Sequence, residues 1–363
     1  MLRQEGELIF ITPRSFAAGP YFEAFRRWFF QRMQPQRLHL FESRRDAFRH
    51  NDVLQESLIL KAVRSDGWMC SRHDACVGVS TSSGVADIGA ARVRSVPVDR
   101  VIDPADSHRV LHIPAHEEQD RIMQLFRSWP SSLRAMNLSI STGPVVGFRA
   151  RDYLREAEPP NDAWAPLLWM QNLTAMRVSW PLDCRKAQYI IRNSASGKLL
   201  LSNTKTYVLL RRFSAKEQTR RLTAAVLEPG MVPCDWVGLE NHVNYIHRPG
   251  GTLTREEAYG LAALLNSTVF DAYFRVFNGN TQVSATEIRS MPLPSSDVIR
   301  SLGREIEKNT NNADIENSVA NALGISSMAA FEYDSAAQEN GDEVHMVADK
   351  QPRRIAEAQQ ILA

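Results

Sequence analysis

Glu7-Leu-Ile-Phe-Ile-Thr12, ended by Pro13, opens the stretch that decides the fold class. Pro20-Tyr-Phe-Glu-Ala-Phe-Arg-Arg-Trp-Phe29, Arg37-Leu-His-Leu-Phe-Glu42 and Ser57-Leu-Ile-Leu-Lys-Ala-Val63 complete it. The first segment is a continuous apolar run, which predicts a strand buried on both faces, as in a parallel α/β sheet. In the second, apolar side chains at 22, 25 and 29 recur at helical spacing, and Pro20 is tolerated in a first turn. The other two segments predict strands. Strand, helix, strand, loop, strand is the tail end of a doubly wound sheet rather than a whole one, and residues 1–65 are assigned to it.

From Arg64 the pattern shortens. Residues 66–134 form a connector with strand-like pieces at Val77-Gly-Val-Ser-Thr81 and Arg109-Val-Leu-His-Ile113, then a helix over Glu117–Trp129. Residues 135–295 carry short strands, many turns and two helix starts. Thr254-Arg-Glu-Glu257 is a capping box, and the helix behind it sets Ala258, Leu261, Ala262, Leu265, Val269, Ala272, Tyr273 and Val276 on one face before Asn278-Gly279 stops it. Ser284-Ala-Thr-Glu287 is a second capping box. Residues 296–363 read as helical, then as a loose acidic tail.

The 363 residues, 44% hydrophobic and 23% charged, allow two or three domains and exclude a mainly disordered or collagen-like chain. No apolar run is long enough for a membrane span. Met1-Leu2-Arg3-Gln4-Glu5-Gly6 lacks the apolar core of a signal peptide. Cys70, Cys76, Cys184 and Cys234 are too few and scattered for a disulfide scaffold, so the bacterial-type cytoplasm is the expected compartment. The net charge of +2 hides a strong asymmetry. Of 43 basic residues seven are lysine and 36 arginine, the side chain suited to bidentate contact with phosphate and guanine, although coding bias has the same signature. Residues 301–363 hold 5 basic and 11 acidic side chains, whereas Arg185–Leu222 holds ten basic residues and one acid, Glu217. The latter is a phosphate-binding footprint.

Three places draw chemical attention. The loop Ser43-Arg44-Arg45-Asp46-Ala47-Phe48-Arg49-His50-Asn51-Asp52 is basic with one aromatic residue. A base lifted from a duplex needs a flat apolar partner and nearby cations, which Phe48 with Arg44, Arg45 and Arg49 would supply; the alternative is that Phe48 tucks under the sheet edge. Arg211-Arg212 and Arg220-Arg221 flank a predicted turn at Phe213–Thr219, and with Lys205 they either reach a DNA groove or line a solvated hairpin rim. Cys70-x2-His73-x2-Cys76 resembles a metal knuckle without a second pair, and no metal is assigned. His242 and His247, five apart, read as structural or DNA-facing. No P-loop or Gly-x-Ser-x-Gly elbow occurs, no Gly-x-Gly occurs, and the only Pro-Pro is Glu158-Pro159-Pro160-Asn161.

Four strings resemble one family in its own order: Gly6-Glu-Leu-Ile-Phe-Ile-Thr-Pro-Arg-Ser-Phe16, Arg45-Asp-Ala-Phe-Arg-His-Asn-Asp-Val-Leu-Gln-Glu56, Ile140-Ser-Thr-Gly-Pro-Val-Val-Gly-Phe-Arg149 and Gly279-Asn-Thr-Gln-Val-Ser-Ala-Thr-Glu-Ile-Arg289. The chain is similar to the gamma-type, adenine-specific DNA methyltransferases of bacterial restriction–modification systems, from residue 6 to about 295. The resemblance implies an α/β fold: the distal strands of a Rossmann-like methyltransferase sheet followed by a mixed α+β target recognition domain over 135–295. It implies that Phe48 stacks on the flipped adenine. It also makes Asn280, Thr281 and Gln282 a reading loop similar to the end of recognition domains in type I specificity subunits. Asn and Gln read adenine edges bidentately, although here they could instead cap the adjoining helices.

The family's Phe-x-Gly-x-Gly loop for S-adenosylmethionine and its Asn/Asp-Pro-Pro-Tyr/Phe motif have no match here, and Glu158-Pro-Pro-Asn161 lacks the aromatic fourth residue. No catalytic or cofactor-binding residue is therefore assigned within the chain. The expectation is part of a site-specific methyltransferase: this chain supplies recognition of double-stranded DNA and base stacking, and an N-terminal half or upstream subunit supplies S-adenosylmethionine binding. A non-catalytic recognition module resembling a specificity subunit, or an inactive fragment, are the alternatives.

Overall fold

In the computed structural model Glu7–Pro13 (β1) is the edge of a five-stranded sheet, and its burial alternates from residue to residue. The structure describes residues 2–41, 57–70, 74–103, 106–114, 116–160, 163–215, 218–278, 282–308 and 314–326, and all of them lie in one of two units, Met1–Tyr333, the other being Asp334–Ala363. Leu8 and Phe10 pack on a core, whereas Ile9 and Ile11 are exposed on the opposite face. The expected strand buried on both faces of a parallel sheet is thus corrected. β1 runs antiparallel to its partner, Ser57–Arg64, and an antiparallel sheet can leave one face open.

Behind β1, Ser15–Ala18 (α1) and Glu23–Phe30 (α2) cover its inner face. Phe10 meets Phe16 and Phe29 edge-on, with centroids 6.0 and 5.7 Å apart. Met33–Phe41 (β2) and Ser57–Arg64 (β3) pair antiparallel, so all three predicted strands form. The sheet does not end at residue 65. Cys76–Ser82 (β4) joins β2 in parallel and Arg94–Pro97 (β5) follows antiparallel, giving the order β1-β3-β2-β4-β5. Of the strand expected at Arg109–Ile113 only an isolated bridge, Leu111 to Ile102, is present. Val98–Val101 (α3) then leads towards Glu117–Arg127 (α4), which belongs to a second core: Phe126 stacks on Tyr273 at 3.8 Å.

Eleven further strands follow α4: Ser139–Thr142 (β6), Leu154–Arg155 (β7), Trp164–Leu168 (β8), Leu173–Thr174 (β9), Arg177–Val178 (β10), Tyr189–Ile191 (β11), Leu200–Ser202 (β12), Tyr207–Arg211 (β13), Ala224–Leu227 (β14), Trp236–Leu239 (β15) and Val243–His247 (β16), of which β6, β13, β14 and β16 contribute to that second core. They form an antiparallel sheet, β14-β13-β16-β6, a mixed sheet, β12-β15-β8-β11-β7, and the small pair β9–β10. Alternation along β13 explains their stacking. Val208 and Leu210 face Arg255–Asn266 (α5), while Tyr207 and Leu209 face Leu168, Val237 and Leu239 of the mixed sheet.

Thr268–Phe277 (α6), Ala285–Ser290 (α7), Ser296–Lys308 (α8) and Ile315–Leu323 (α9) complete the described chain. Both predicted capping boxes close: the Thr254 and Ser284 backbone N–H groups each donate to their glutamate, Glu257 and Glu287, at 3.0 Å. The single helix expected behind Thr254 is two. Asn266 turns its amide to the backbone of Ala224 in β14, and Ser267 takes an extended conformation and caps α6. None of the described helices is long and apolar enough to cross a membrane.

Candidate nucleic-acid interface

The hairpin β13–β14 carries the arginines singled out in the sequence, and the structure divides them. Arg211 donates from Nε to the Leu173 carbonyl at 2.9 Å. Arg220 donates to the Asn266 carbonyl at 2.8 Å and pairs with Glu316. Arg221 is 1% exposed; Nε donates to Ser214 Oγ and Nη2 to Asn278 Oδ1, both at 2.9 Å, and its guanidinium lies over the Phe274 ring. The expectation that Arg221 reaches a DNA groove is corrected, because donors engaged by buried acceptors cannot turn to phosphate without leaving those acceptors unpaired, whereas Arg211 and Arg220 are half-buried. Arg212, also half-buried, donates to the Asn241 carbonyl at 2.9 Å and lies 5.9 Å from the Phe213 ring at the surface. Lys205 is half-buried near His247, whose pKa is lowered by burial first and by this lysine second. Within the basic segment Arg185, Arg192 and Lys198 are exposed.

Arg44, Arg45, Phe48 and Arg49 lie outside the described residues, as do Asn280 and Thr281. Gln282 is described and exposed. It bridges Phe213, and next to it Val283 N–H donates to the Arg212 carbonyl at 2.7 Å. The two ends of the 279–281 segment are stapled by one side chain. Asn278 Nδ2 donates to the Gln282 carbonyl at 3.0 Å and to Glu287 Oε2 at 2.9 Å, while its Oδ1 accepts from Arg221. The residue that closes α6 is Asn278.

Glu287 gives this staple a pH signature. Burial pushes its carboxyl from the ordinary 4.5 up to about 7, against the opposing pull of the Ser284 N–H, the Asn278 amide and the Arg221 charge. Between those values the folded chain retains a proton that the unfolded chain has released, so stability is lost as pH rises through the window, by roughly 3 kcal/mol at the upper end. Glu287→Gln is expected to flatten the stability profile between about pH 5 and 7. Urea midpoints taken across that range check it, and a variant with the same slope as the parent would refute it.

From Gln282 a chain of contacts can be followed, some of them through buried groups. Phe213 meets His242 at 4.9 Å, and His242 is held through Nδ1 and its N–H by buried Glu240. Between them Asn241 accepts from Arg212 and donates its N–H to the Val145 carbonyl at 2.9 Å. The 145–149 turn then borders Trp169, over whose ring Lys186 Nζ sits at 4.8 Å. Amides, a histidine, cations and aromatic faces linked by such contacts are a composition suited to bases and phosphates. Asn241, Trp169, Phe148 and Arg149, which this chain of contacts brings together, were not singled out in the sequence. The last two lay in a quoted string, and the signal available was an aromatic residue beside arginine in a glycine-bounded turn.

Two curated proteins align with most of the chain. Type II methyltransferase M.BsuBI of Bacillus subtilis is 38% identical over 315 residues, covering 86% of this chain and 60% of the relative. Type II methyltransferase M.PstI of Providencia stuartii is 34% identical over 307 residues, covering 84% and 59%. The chain is a homologue of type II methyltransferases. This methyltransferase homologue spans about 60% of the length of those relatives. No family model matches it. Among solved structures it is similar to the type IIL restriction–modification enzyme MmeI in complex with DNA (TM-score 0.47, 11% identity, 91% of this chain and 49% of that one). The type IIG restriction endonuclease BpuSI also matches (TM-score 0.39, 12% identity, 92% and 46%).

The described residues of the methyltransferase homologue do not fit S-adenosylmethionine. A nucleoside cofactor seated at the end of a doubly wound sheet needs close backbone approach at a strand-to-helix turn, which glycine supplies. Here β1 enters α1 through Pro13-Arg14-Ser15, and β5 enters α3 through Pro97. Arg14, 5% exposed, instead donates from Nη2 to the carbonyls of Arg275 and Val276, both at 3.0 Å. Among the described residues no group of three or more histidine, cysteine or acidic side chains is placed to hold a metal ion.

Proposed function

We propose that this chain is the recognition part of a site-specific, adenine-specific DNA methyltransferase, in which S-adenosylmethionine is the methyl donor and a further N-terminal half or upstream subunit binds it. The observation that carries this reading is the 38% identity to a type II methyltransferase over 86% of the chain. Residues 7–97 act as the distal part of the catalytic sheet and residues 135–295 as the target recognition domain. Double-stranded DNA lies along the surface from Gln282 through Arg212 and Asn241 to Lys186, with Asn280, Thr281 and Gln282 reading base edges and Phe48, flanked by Arg44, Arg45 and Arg49, against the target base. The partner half adds strands at the open edge of β1 and covers the sheet face that bears Ile9 and Ile11, exposed by 61% and 49%. The protein acts in the bacterial cytoplasm, where its DNA substrate is.

A second reading has its own support. The misfit to S-adenosylmethionine favours a non-catalytic module that selects a DNA sequence for another protein, in the manner of a specificity subunit.

Both readings require DNA binding, and the catalytic one requires complementation. The full chain should bind duplex DNA with a log–log salt slope of about −4, the release expected from four or five phosphates, measured by fluorescence anisotropy. Labelled S-adenosylmethionine with plasmid DNA should give no methylation by this chain alone. Methylation should appear when a polypeptide carrying the Gly-x-Gly and Asn-Pro-Pro-Tyr motifs is added. Binding without complementation leaves the module reading standing, and absence of binding at about 50 mM salt overturns both.

A further inference from the structure

Phe148 is 79% exposed at the tip of a turn that is fixed at both ends. Val145 is fully buried; its N–H donates to the Leu239 carbonyl at 3.0 Å and its carbonyl accepts from Asn241. After the tip, the Arg149 and Ala150 N–H groups both donate to the Val146 carbonyl at 2.9 Å, and Ala150 is buried again. Before it, Gly143 runs so close to the facing backbone that an added Cβ would stand 2.3 Å from the Glu240 carbonyl oxygen. The tip is therefore presented by a rigid support, and the Arg149 guanidinium lies 5.4 Å from the centre of the Phe148 ring.

Single exposed apolar side chains are ordinary on protein surfaces. The company of this one sets it apart. Gly147, next in the chain, borders the Trp169 ring that carries Lys186, and the anchor residue Asn241 is the one that receives Arg212. Around the tip Arg149, Arg151 and Asp152 are exposed and charged, so no contiguous apolar area awaits a protein partner. A planar ring with a cation over it, on a rigid support beside further cations, matches a nucleobase face and the phosphate next to it.

We propose that Phe148 is a base-stacking contact: its ring lies against an unstacked nucleobase of bound DNA while Arg149 engages the adjoining phosphate. This rests on the DNA-recognition reading above and adds to it a contact that senses whether a base is out of the stack. The test uses the full chain with two fluorescein-labelled duplexes of about 30 base pairs and random sequence, one fully paired and one with a bulge of unpaired thymidines. Wild type is expected to bind the bulged duplex about 10-fold more tightly. Phe148→Ala and Phe148→Leu should bind both equally, because leucine is apolar but not planar, and Phe148→Trp should keep the preference. Urea midpoints of all three should match the parent. Retention of the preference by the alanine or leucine variant overturns the proposal, as does wild type binding both duplexes equally. Wild type binding neither duplex overturns the recognition reading itself.

Discussion

Arg221→Ala is expected to destabilise the fold by about 3–5 kcal/mol, the range for removing one partner from a buried charged network. The guanidinium is 1% exposed and serves Ser214 Oγ and Asn278 Oδ1 while resting on Phe274. Its loss removes these acceptors' donor and opens a void against an aromatic ring. Nearby, Asp271 receives the Arg221 and Leu222 N–H groups and pairs with Arg275 at 2.7 Å, so the site has little freedom to collapse. Arg221→Lys keeps the charge but not the fork, and should recover a minority of the loss. Urea unfolding gives the answer directly. A DNA-facing arginine would instead leave stability intact and make the salt dependence of DNA binding shallower, so an unchanged midpoint would restore the groove-binding role.

Alanine at Gly303 or Gly260 is expected to cost about 3 kcal/mol, the upper part of the range for overpacking, because the obstacle is backbone. A Cβ on Gly303 would stand 1.8 Å from the Glu256 carbonyl oxygen, and one on Gly260 2.0 Å from that of Ile299. α5 and α8 thus touch backbone to backbone at both places, and α5 is buried from Glu257 to Asn266. The sign is informative. At an open helical site glycine to alanine gains about 1 kcal/mol from propensity alone. The double variant should cost less than the two singles together, since helices already forced apart accommodate the second methyl group. Thermal unfolding of the three variants tests this, and a rise in midpoint for either single variant would falsify the close crossing.

Much of the fold was legible because its signals are local. Glu7–Thr12, Arg37–Glu42 and Ser57–Val63 are apolar runs with clear stops, and the described part of each lies in a strand. Thr254/Glu257 and Ser284/Glu287 are reciprocal hydrogen-bond pairs three residues apart, and each starts a helix. What was not legible depends on distant partners. The direction of β1 is set by β3, fifty residues away in sequence, and the break at Ser267 by the grip of Asn266 on β14. The arginine cluster misled for the same reason. A run of basic residues records charge but not which donors are already engaged, and only Arg212 of the four lies on the chain of contacts from Gln282. Conversely, the exposure of Phe148 is a property of the Gly143 crossing and the Val145 anchor, and no local pattern encodes it.

Arg14 has a consequence for engineering. Its guanidinium sits between the start of the first sheet's helices and two carbonyls in the last turn of α6, three and two residues before the Asn278 staple. The spacing between the first sheet and the segment that follows α6 is thus held by a side chain of one part measured against main-chain atoms of the other. A stretch including α6 transplanted from a relative will be seated correctly only if its α6 ends at the same height against Arg14. Chimaeras cut between residues 135 and 295 should therefore be chosen by the match of that helix end, ahead of the match of their loops.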